Sequence, residues 1–532
     1  MHYKTLRVIL IWTGSIAAFI FLVLFGVQKY LGPEVKKLFI SEINKSLVTE
    51  VQIDEVELSL LKDFPFASLR FKGVRMKEAV KPASAKNMLT AGIISLRFNI
   101  WDLLHKKYRV KNIMVADIEI NARILADGRD NFHFWKEASS STKEDFHYEL
   151  QRVNLYNLHI HFLDDSAQTL FDADLPGFMA KGDFNKSNYT LDLAGNILVH
   201  QLKSKGVNYI IERNLNLWLD LIVDNKTGQY DFKKGTIETG KLKLSTSGTL
   251  LYTAKQKQIN LDITASGSTL EEMMSLVPSK YTDQLADYRF EGEGNMEAKL
   301  TGTFGDGRTP AVSIQLDVSH GNIIHRSSGI SLKEMDARFR YTLMHNGADE
   351  SFAIQVLKAT FGEGFVKGSW LMNGFVSPHI VANLNASLNL GELKQFLRID
   401  TITSMSGWIK LNLAFDGQIE DLSHPVSADF MRSNINGQGN IRQAEICFKE
   451  FKLPFKSLES DFVFNGNSLE LQKLTFKAGK SDFQIQGSLD NLPAWLFIKD
   501  EDLSINGSVQ SKRFDYLEIS DAQPASSGEY SF

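Results

Sequence analysis

The sequence predicts a mostly β protein: one N-terminal transmembrane helix, then an elongated, repetitive antiparallel sheet with a few short helices. Three observations carry this. Val8 to Val27 runs twenty positions without a charge. From Val51 onward apolar and polar residues alternate with period two. Three separate phrases then recur at spacings of 115 to 121 residues.

The apolar run VILIWTGSIAAFIFLVLFGV comes first. At about 1.5 Å per residue, a helix of this length spans roughly 30 Å, the thickness of a bilayer's hydrocarbon core. A cleaved signal peptide would carry a shorter apolar stretch ending in a small-x-small site, whereas this run ends Leu24-Phe25-Gly26-Val27. Basic residues flank both ends (Lys4 and Arg7 before, Lys29, Lys36 and Lys37 after), so the positive-inside rule does not decide orientation. The short basic tail and the β-rich bulk favour a cytoplasmic N-terminus and an exported body. Pro33 to Leu47 then sets Val35, Leu38, Phe39, Ile43 and Leu47 on one helical face. Such a helix lies on the membrane surface or caps the first sheet, and the cap is the favoured reading.

In the body, Leu215, Leu217, Leu219, Leu221 and Val223 alternate through NLNLWLDLIV, and Ile409, Leu411, Leu413 and Phe415 through IKLNLAF. Ile94 to Ile100, Ile118 to Ile124 and Val312, Ile314, Leu316 and Val318 repeat the pattern. Successive side chains of a strand point to opposite faces, so each segment has one apolar and one polar face. Antiparallel sheets with one wet face read this way; the continuous apolar runs of parallel α/β sheets are absent. Short helices are predicted at Ser268–Val277, with Ser268 and Glu271 in capping-box spacing, at Glu392–Leu397 and at Arg513–Ile519.

Those helices expose the repeat. Ser266, Ser387 and Ser508, in the phrases LDITASG, ANLNASL and LSINGSV, lie 121 residues apart. Gly248-Thr249, Gly368-Ser369 and Gly487-Ser488 recur at 120 and 119. GEGNMEAKLTGTF, from Gly292, aligns with GWIKLNLAFDGQI, from Gly407, and prolines follow at Pro310 and Pro425. The unit is too large for an ordinary solenoid repeat and reads as several strands plus a short helix. The organisation predicted is a tail (1–7), the anchor (8–27), a first β region with its cap helix (28–200), a repetitive β region (201–520) and a polar tail (521–532).

Bulk properties exclude several classes. A chain of 532 residues is too long for one compact core. Net charge is −4 with no basic stripe, which argues against nucleic acid as a partner. The only cysteine, Cys447, rules out an intrachain disulfide and a multi-cysteine zinc site. His159 and His161, beside Asp164 and Asp165, would share a strand face as metal ligands must, but Leu158, Ile160 and Phe162 alternate with them. The pair therefore reads as the polar face of an amphipathic strand, with no metal. Gly479-Lys480-Ser481 is no phosphate loop, because Leu474 stands where such a loop needs glycine. GEGFVKGS, Gly362 to Ser369, reads as a turn between strands. No nucleophile elbow or histidine constellation appears, so neither enzyme activity nor a cofactor is expected.

The anchor, the phrase INKSLVTEVQIDEVELSLLKDFPFASLRFKGVRM (Ile43 to Met76), LEEMMSLVPSKY and SDFQIQGSLDNLPAWLF (Ser481 to Phe497) resemble the AsmA-like family of Gram-negative envelope proteins, particularly its Bacteroidota versions. The resemblance spans most of the chain but rests on degenerate packing patterns. It implies a long, twisted, U-shaped sheet with an apolar inner groove, anchored in the inner membrane and reaching into the periplasm. It also implies roles in outer-membrane homeostasis, phospholipid passage and outer-membrane protein assembly.

A one-sided apolar sheet must cover its face with another protein layer or with something else, and acyl chains would serve. Closed β-sandwiches remain the rival from alternation alone. The expected function is phospholipid binding and conduction, with Leu215, Leu217, Leu219, Leu221, Ile314, Leu316, Ile409, Leu411, Leu413 and Phe415 as groove candidates. Expected partners are phospholipid acyl chains, the membrane and envelope proteins at the C-terminal end. The alternative is a scaffold that modulates outer-membrane protein assembly and carries no lipid.

Overall fold

A computed structural model describes Leu47, Thr49 and residues 51–522, except 60–65, 81–86, 106–108, 133–147, 254–255, 278–284, 306–307, 346–348, 398–401, 423, 450, 467, 499–500 and 502. The expected anchor at Val8–Val27, the cap helix up to Ser46 and the polar tail from Gln523 lie outside the described residues. Among the described residues no helix is long and apolar enough to cross a membrane.

Among the described residues 73% are in strands, which form a 23-stranded, largely antiparallel sheet with few short helices. Strands run from 7 to 18 residues. Two compact units divide the chain: Met1–Asp262 with Leu276–Lys280 and Thr303–Arg308, and Ile263–Ser275 with Tyr281–Gly302 and Thr309–Phe532.

In the first unit, β1 (Val51–Ser59), β2 (Phe66–Lys77) and β3 (Asn87–Asn99) are followed by helix α1 (Ile100–Leu104) and β4 (Val110–Ile124). Next come β5 (Tyr148–Asp164), β6 (Thr169–Gly182), β7 (Asn188–Ser204), β8 (Val207–Asp224), β9 (Gln229–Thr239) and β10 (Leu242–Tyr252). Each strand through β10 pairs with its sequence neighbour. One pair corrects the expectation of a wholly antiparallel sheet: β4 and β5 run parallel. A parallel pair needs a crossover of a dozen residues or more, and the chain between Ile124 and Tyr148 is long enough to supply it. A packed core lies in β2–β4, where Ala67, Leu69, Phe98 and Val110 are fully buried beside Ile100 of α1.

β11 (Lys257–Thr269) leads into helix α2 (Leu270–Met274). The second unit continues with β12 (Tyr288–Thr303), β13 (Ala311–His325), β14 (Ser331–Leu343), β15 (Glu350–Phe361), β16 (Gly364–Asn373) and β17 (His379–Asn389). Then come α3 (Leu390–Leu397), β18 (Ile402–Gln418), α4 (Ser427–Arg432), β19 (Asn434–Phe448), β20 (Phe455–Gly466) and β21 (Ser468–Ala478). β22 (Ser481–Asp490), α5 (Leu492–Phe497), β23 (Ser504–Gln510) and α6 (Tyr516–Ala522) complete the described chain. From β12 to β23 every sequential pair is antiparallel.

The repeat takes physical form as six strands and a helix. Gly248, Gly368 and Gly487 fall in β10, β16 and β22; Ser266, Ser387 and Ser508 fall in β11, β17 and β23, which precede α2, α3 and α6. Helices α4 and α5 have no counterparts among the described residues of the first repeat. The recurring glycine has a steric cause. A Cβ at Gly248 would lie 2.1 Å from the Asn260 carbonyl oxygen, and one at Gly487 would lie 2.2 Å from that of Asn506, with φ at +136° and +152°. The paired Gly292 and Gly407 also share a role: each sits at positive φ where the register shifts, between Glu291 and Glu293 and between Ser406 and Trp408.

Local expectations move by small amounts. The α2 capping box uses Thr269 and Glu272 rather than Ser268 and Glu271: the Glu272 N–H donates to Thr269 Oγ1 (3.2 Å) and the Thr269 N–H to the Glu272 carboxylate (3.0 Å). Strand β11 runs through Thr269 and buries Ser268, so the helix starts one residue later. The stretch from Gly362 to Ser369 is a turn only at Gly362 and Glu363; Gly364 begins β16.

Candidate functional site: an apolar sheet face

Period-two alternation fixes which side chains share a face within a strand; register decides whether faces of neighbouring strands coincide. In the first unit they do, across ten strands. Val56, Phe71, Ile94, Val115, Leu155, Phe178, Gly195, Leu217, Ile237 and Leu244 form one line of successive register partners from β1 to β10. A second line runs beside it: Leu58, Leu69, Leu96, Ile113, Val153, Ala180, Leu193, Leu219, Gly235 and Thr246. Leu215 pairs with Ile197, and Leu221 lies between Leu191 and Phe232.

The second unit builds the same surface. Met296, Leu316, Phe339, Ile354, Trp370, Ala382, Phe415 and Ile435 are successive partners from β12 to β19. The next row, from β16 to β23, is Gly368, Leu384, Leu413, Gly437, Phe464, Leu469, Leu489 and Ile505. Ile314 pairs with Ala298 and Tyr341, Leu411 with Ala386 and Gly439, and Ile409 with Leu388 and Ile441. The ten candidates therefore divide: Leu215, Leu217, Leu219 and Leu221 share a face in the first unit, and Ile314, Leu316, Ile409, Leu411, Leu413 and Phe415 share one in the second.

The first unit's rows enter a packed core at β1–β3, where Leu58, Leu69 and Phe71 are buried, but beyond it the candidate positions are less enclosed. Leu221 is buried (3% exposed), but the other nine candidates are half-buried, and Trp370, in the middle of its row, is 38% exposed. In the second unit, short helices cover one margin. Leu270 of α2 packs with Val318, Met335 and Ala337, and Leu390 of α3 with Met405 and Ala444. Phe396 of α3 meets the Phe361 and Tyr288 rings, each at 5.3 Å, and accepts a hydrogen bond from Tyr288 Oη (2.8 Å) on its carbonyl. At the other margin, Phe375 packs against Met372, Ile380 and Ile419. The half-buried rows of Leu316 to Phe415 and of Leu384 to Leu413 lie between these margins.

The opposite face is polar and self-paired. Lys72 Nζ bridges Glu57 (2.6 Å) and Glu55 (3.2 Å), and Arg123 pairs with Asp165 (2.6 Å). The His159/His161 pair belongs to this face. Its partners come from the neighbouring strand: His159 Nδ1 meets Asp174 (2.7 Å) and His161 Nδ1 meets Asp172 (2.9 Å). His200 Nε2 bonds Asp174 (2.9 Å) while its Nδ1 bonds Glu212 (3.0 Å). The hydrogen bond with His200 chiefly holds the Asp174 carboxyl below the usual carboxylate range; Asp174, then Glu212, pushes His200 up. Both ring nitrogens of His200 thus face carboxylates, one on each neighbouring strand. Among the described residues no group of three His, Cys, Asp or Glu has metal-holding geometry.

Sequence reasoning missed the rows in residues 51–200, whose strands were legible but whose pairing was not. It also missed the D-x-D of β6 (Asp172, Asp174), whose matching period with His159-x-His161 is the available signal.

Fold and surface define a class: a repetitive β-sheet protein with one apolar and one polar face in each unit. No family model matches the chain, and no curated protein or solved structure matches it.

Proposed function

We propose that the chain is an envelope lipid-binding protein whose apolar sheet face holds phospholipid acyl chains and conducts them along the strand rows. The observation that carries this is the coincidence of apolar rows across successive strands, half-buried at most positions from β4 onward. A sheet whose apolar face closes on another layer buries such positions, whereas an acyl chain covers them without directional demands. Apolar burial is worth about 0.8 kcal/mol per methylene, so a chain of a dozen methylenes has ample driving force.

The charge-free run Val8–Val27 has the length of a single membrane anchor, and the resemblance to AsmA-like proteins supports an inner-membrane location with the body in the periplasm and a groove built by the sheet. No residue in this reading performs bond chemistry; the rows act collectively and no cofactor is needed.

Native mass spectrometry of the body from Leu47 onward, exported to a periplasm and purified without detergent, tests the reading. Several phospholipids per chain are expected, lost when Leu217, Leu219 and Leu411 become Asp in a protein that still folds. An empty, stable body would overturn it in favour of the lipid-free scaffold.

A further inference from the structure

The polar face of the second unit contains a feature unlike the ion pairs elsewhere on that side. A trough of about 540 Å³ crosses the strands there. Ala386, Leu411, Gly439 and Phe462, register partners whose side chains belong to the opposite face, form its floor, and two rows of mostly polar side chains flank it, with Val463 and Gln472 completing the lining. One row is Asn385, Asn412 and Gln438, register partners on β17, β18 and β19; the other is Ser387, Lys410, Asn440 and Asp461, register partners from β17 to β20. Residues two apart on a strand stand about 6.7 Å apart, which sets the spacing of the rows. On β16, Phe365 pairs with Ser387 and Lys367 with Asn385, and Lys367 Nζ lies 5.2 Å from the centre of the Phe365 ring. An aromatic ring therefore stands at one end of the trough.

The chemistry of the walls selects among ligands. Asp461 pairs with Arg442, which leaves Lys410 as the trough's one uncompensated charge among its lining residues. Two lysines, Lys410 in the lining and Lys367 beside the Phe365 ring, are too few for a nucleic acid or polyanion. The floor's backbone groups are engaged in sheet pairing, so an extended peptide gains no ladder here; peptides add at sheet edges. An acyl chain would desolvate two polar rows without return. Amide side chains each present donors and an acceptor, and hydroxyls are likewise both donor and acceptor. The face of the Phe365 ring away from Lys367 offers an apolar surface to the C–H face of a sugar ring. We infer that this trough binds a neutral oligosaccharide, laid across β17–β20 with the amides of Asn385, Asn412 and Gln438 on its hydroxyls and Phe365 at its end. This site lies on the opposite face from the proposed lipid surface and does not depend on that reading.

The test is isothermal titration of the full chain with cellohexaose, maltohexaose, chitohexaose and mannohexaose, each to about 10 mM. Saturable binding of at least one is expected. It should weaken at least tenfold in the double variant Asn412→Ala, Gln438→Ala, with circular dichroism and melting unchanged, and in Phe365→Ala. The variant Asn196→Ala, which removes an amide paired with Asn216 on the first unit's polar face, should bind as the parent does. Failure of all four sugars to bind would overturn the inference. So would binding that the Asn412 and Gln438 changes leave intact.

Discussion

Replacing Leu413 by Asp should separate lipid occupancy from stability, because Leu413 is half-buried on a face that the account leaves open to lipid. Its row partners are Leu384 and Gly437, the latter offering no side chain to enclose it. Complete burial of a leucine is worth about 1.5–3 kcal/mol, so truncation of a half-buried one costs about 1 kcal/mol. In the lipid-free protein an aspartate there stays hydrated, and Leu413→Asp should cost little more than Leu413→Ala. Under an acyl chain the same carboxylate loses its water. About four methylenes withdrawn from contact forfeit roughly 3 kcal/mol, a more than hundredfold loss of occupancy at that position. The assay pairs urea unfolding of lipid-stripped protein with mass-spectrometric counting of bound phospholipid. In a closed core, Leu413→Ala would cost about 3–5 kcal/mol and Leu413→Asp still more. Such costs in lipid-free protein, or unchanged lipid content in Leu413→Asp, would refute the reasoning.

Other predictions follow from the frame and the polar face. Gly248→Ala places a Cβ 2.1 Å from a backbone oxygen at φ +136°, and should destabilise the first unit by about 2–3 kcal/mol in urea titration. Tyr288→Phe removes the hydrogen bond to the last turn of α3 and should cost about 1 kcal/mol, read as a lowered unfolding midpoint. The His200 cluster predicts a pH window. The raised His200 pKa contributes stability that is complete below its ordinary value near 6.5 and fades as pH rises through the raised value. The lowered Asp174 pKa contributes above its ordinary value near 3.8 and is lost as pH falls through the lowered one. The melting-temperature gap between parent and His200→Ala should therefore be widest near pH 5 and narrow by pH 9; an equal gap at both would contradict the assignment.

What the sequence made legible depended on range. Alternation named the strands, because facing is a local property, and the glycine of the 120-residue repeat was visible because each copy meets the same obstacle, a neighbouring strand's carbonyl. Pairing direction was not local: nothing between Ile124 and Tyr148 announces that β4 and β5 run parallel. The groove candidates were chosen strand by strand and fell on apolar rows, yet the rows' aromatic members Phe339, Trp370 and Phe464 became visible only through register. The same holds for His159-x-His161. Its carboxylate partners are Asp172 and Asp174 across a hairpin, whereas the adjacent Asp165 turns to Arg123. The trough of the second unit was illegible for a further reason: Asn385, Asn412 and Gln438 lie far apart in sequence and align only through the pairing of three strands.

Face-specific photocrosslinking in cells tests the central claim most directly. Leu413 and Ala414 are neighbours on β18 whose side chains point to opposite faces. A benzoylphenylalanine at each position of the full chain, irradiated in cells labelled with radioactive phosphate, reports what covers each face. The account predicts phospholipid adducts at position 413 and none at 414. Equal labelling at both positions, or protein adducts alone at 413, would contradict it.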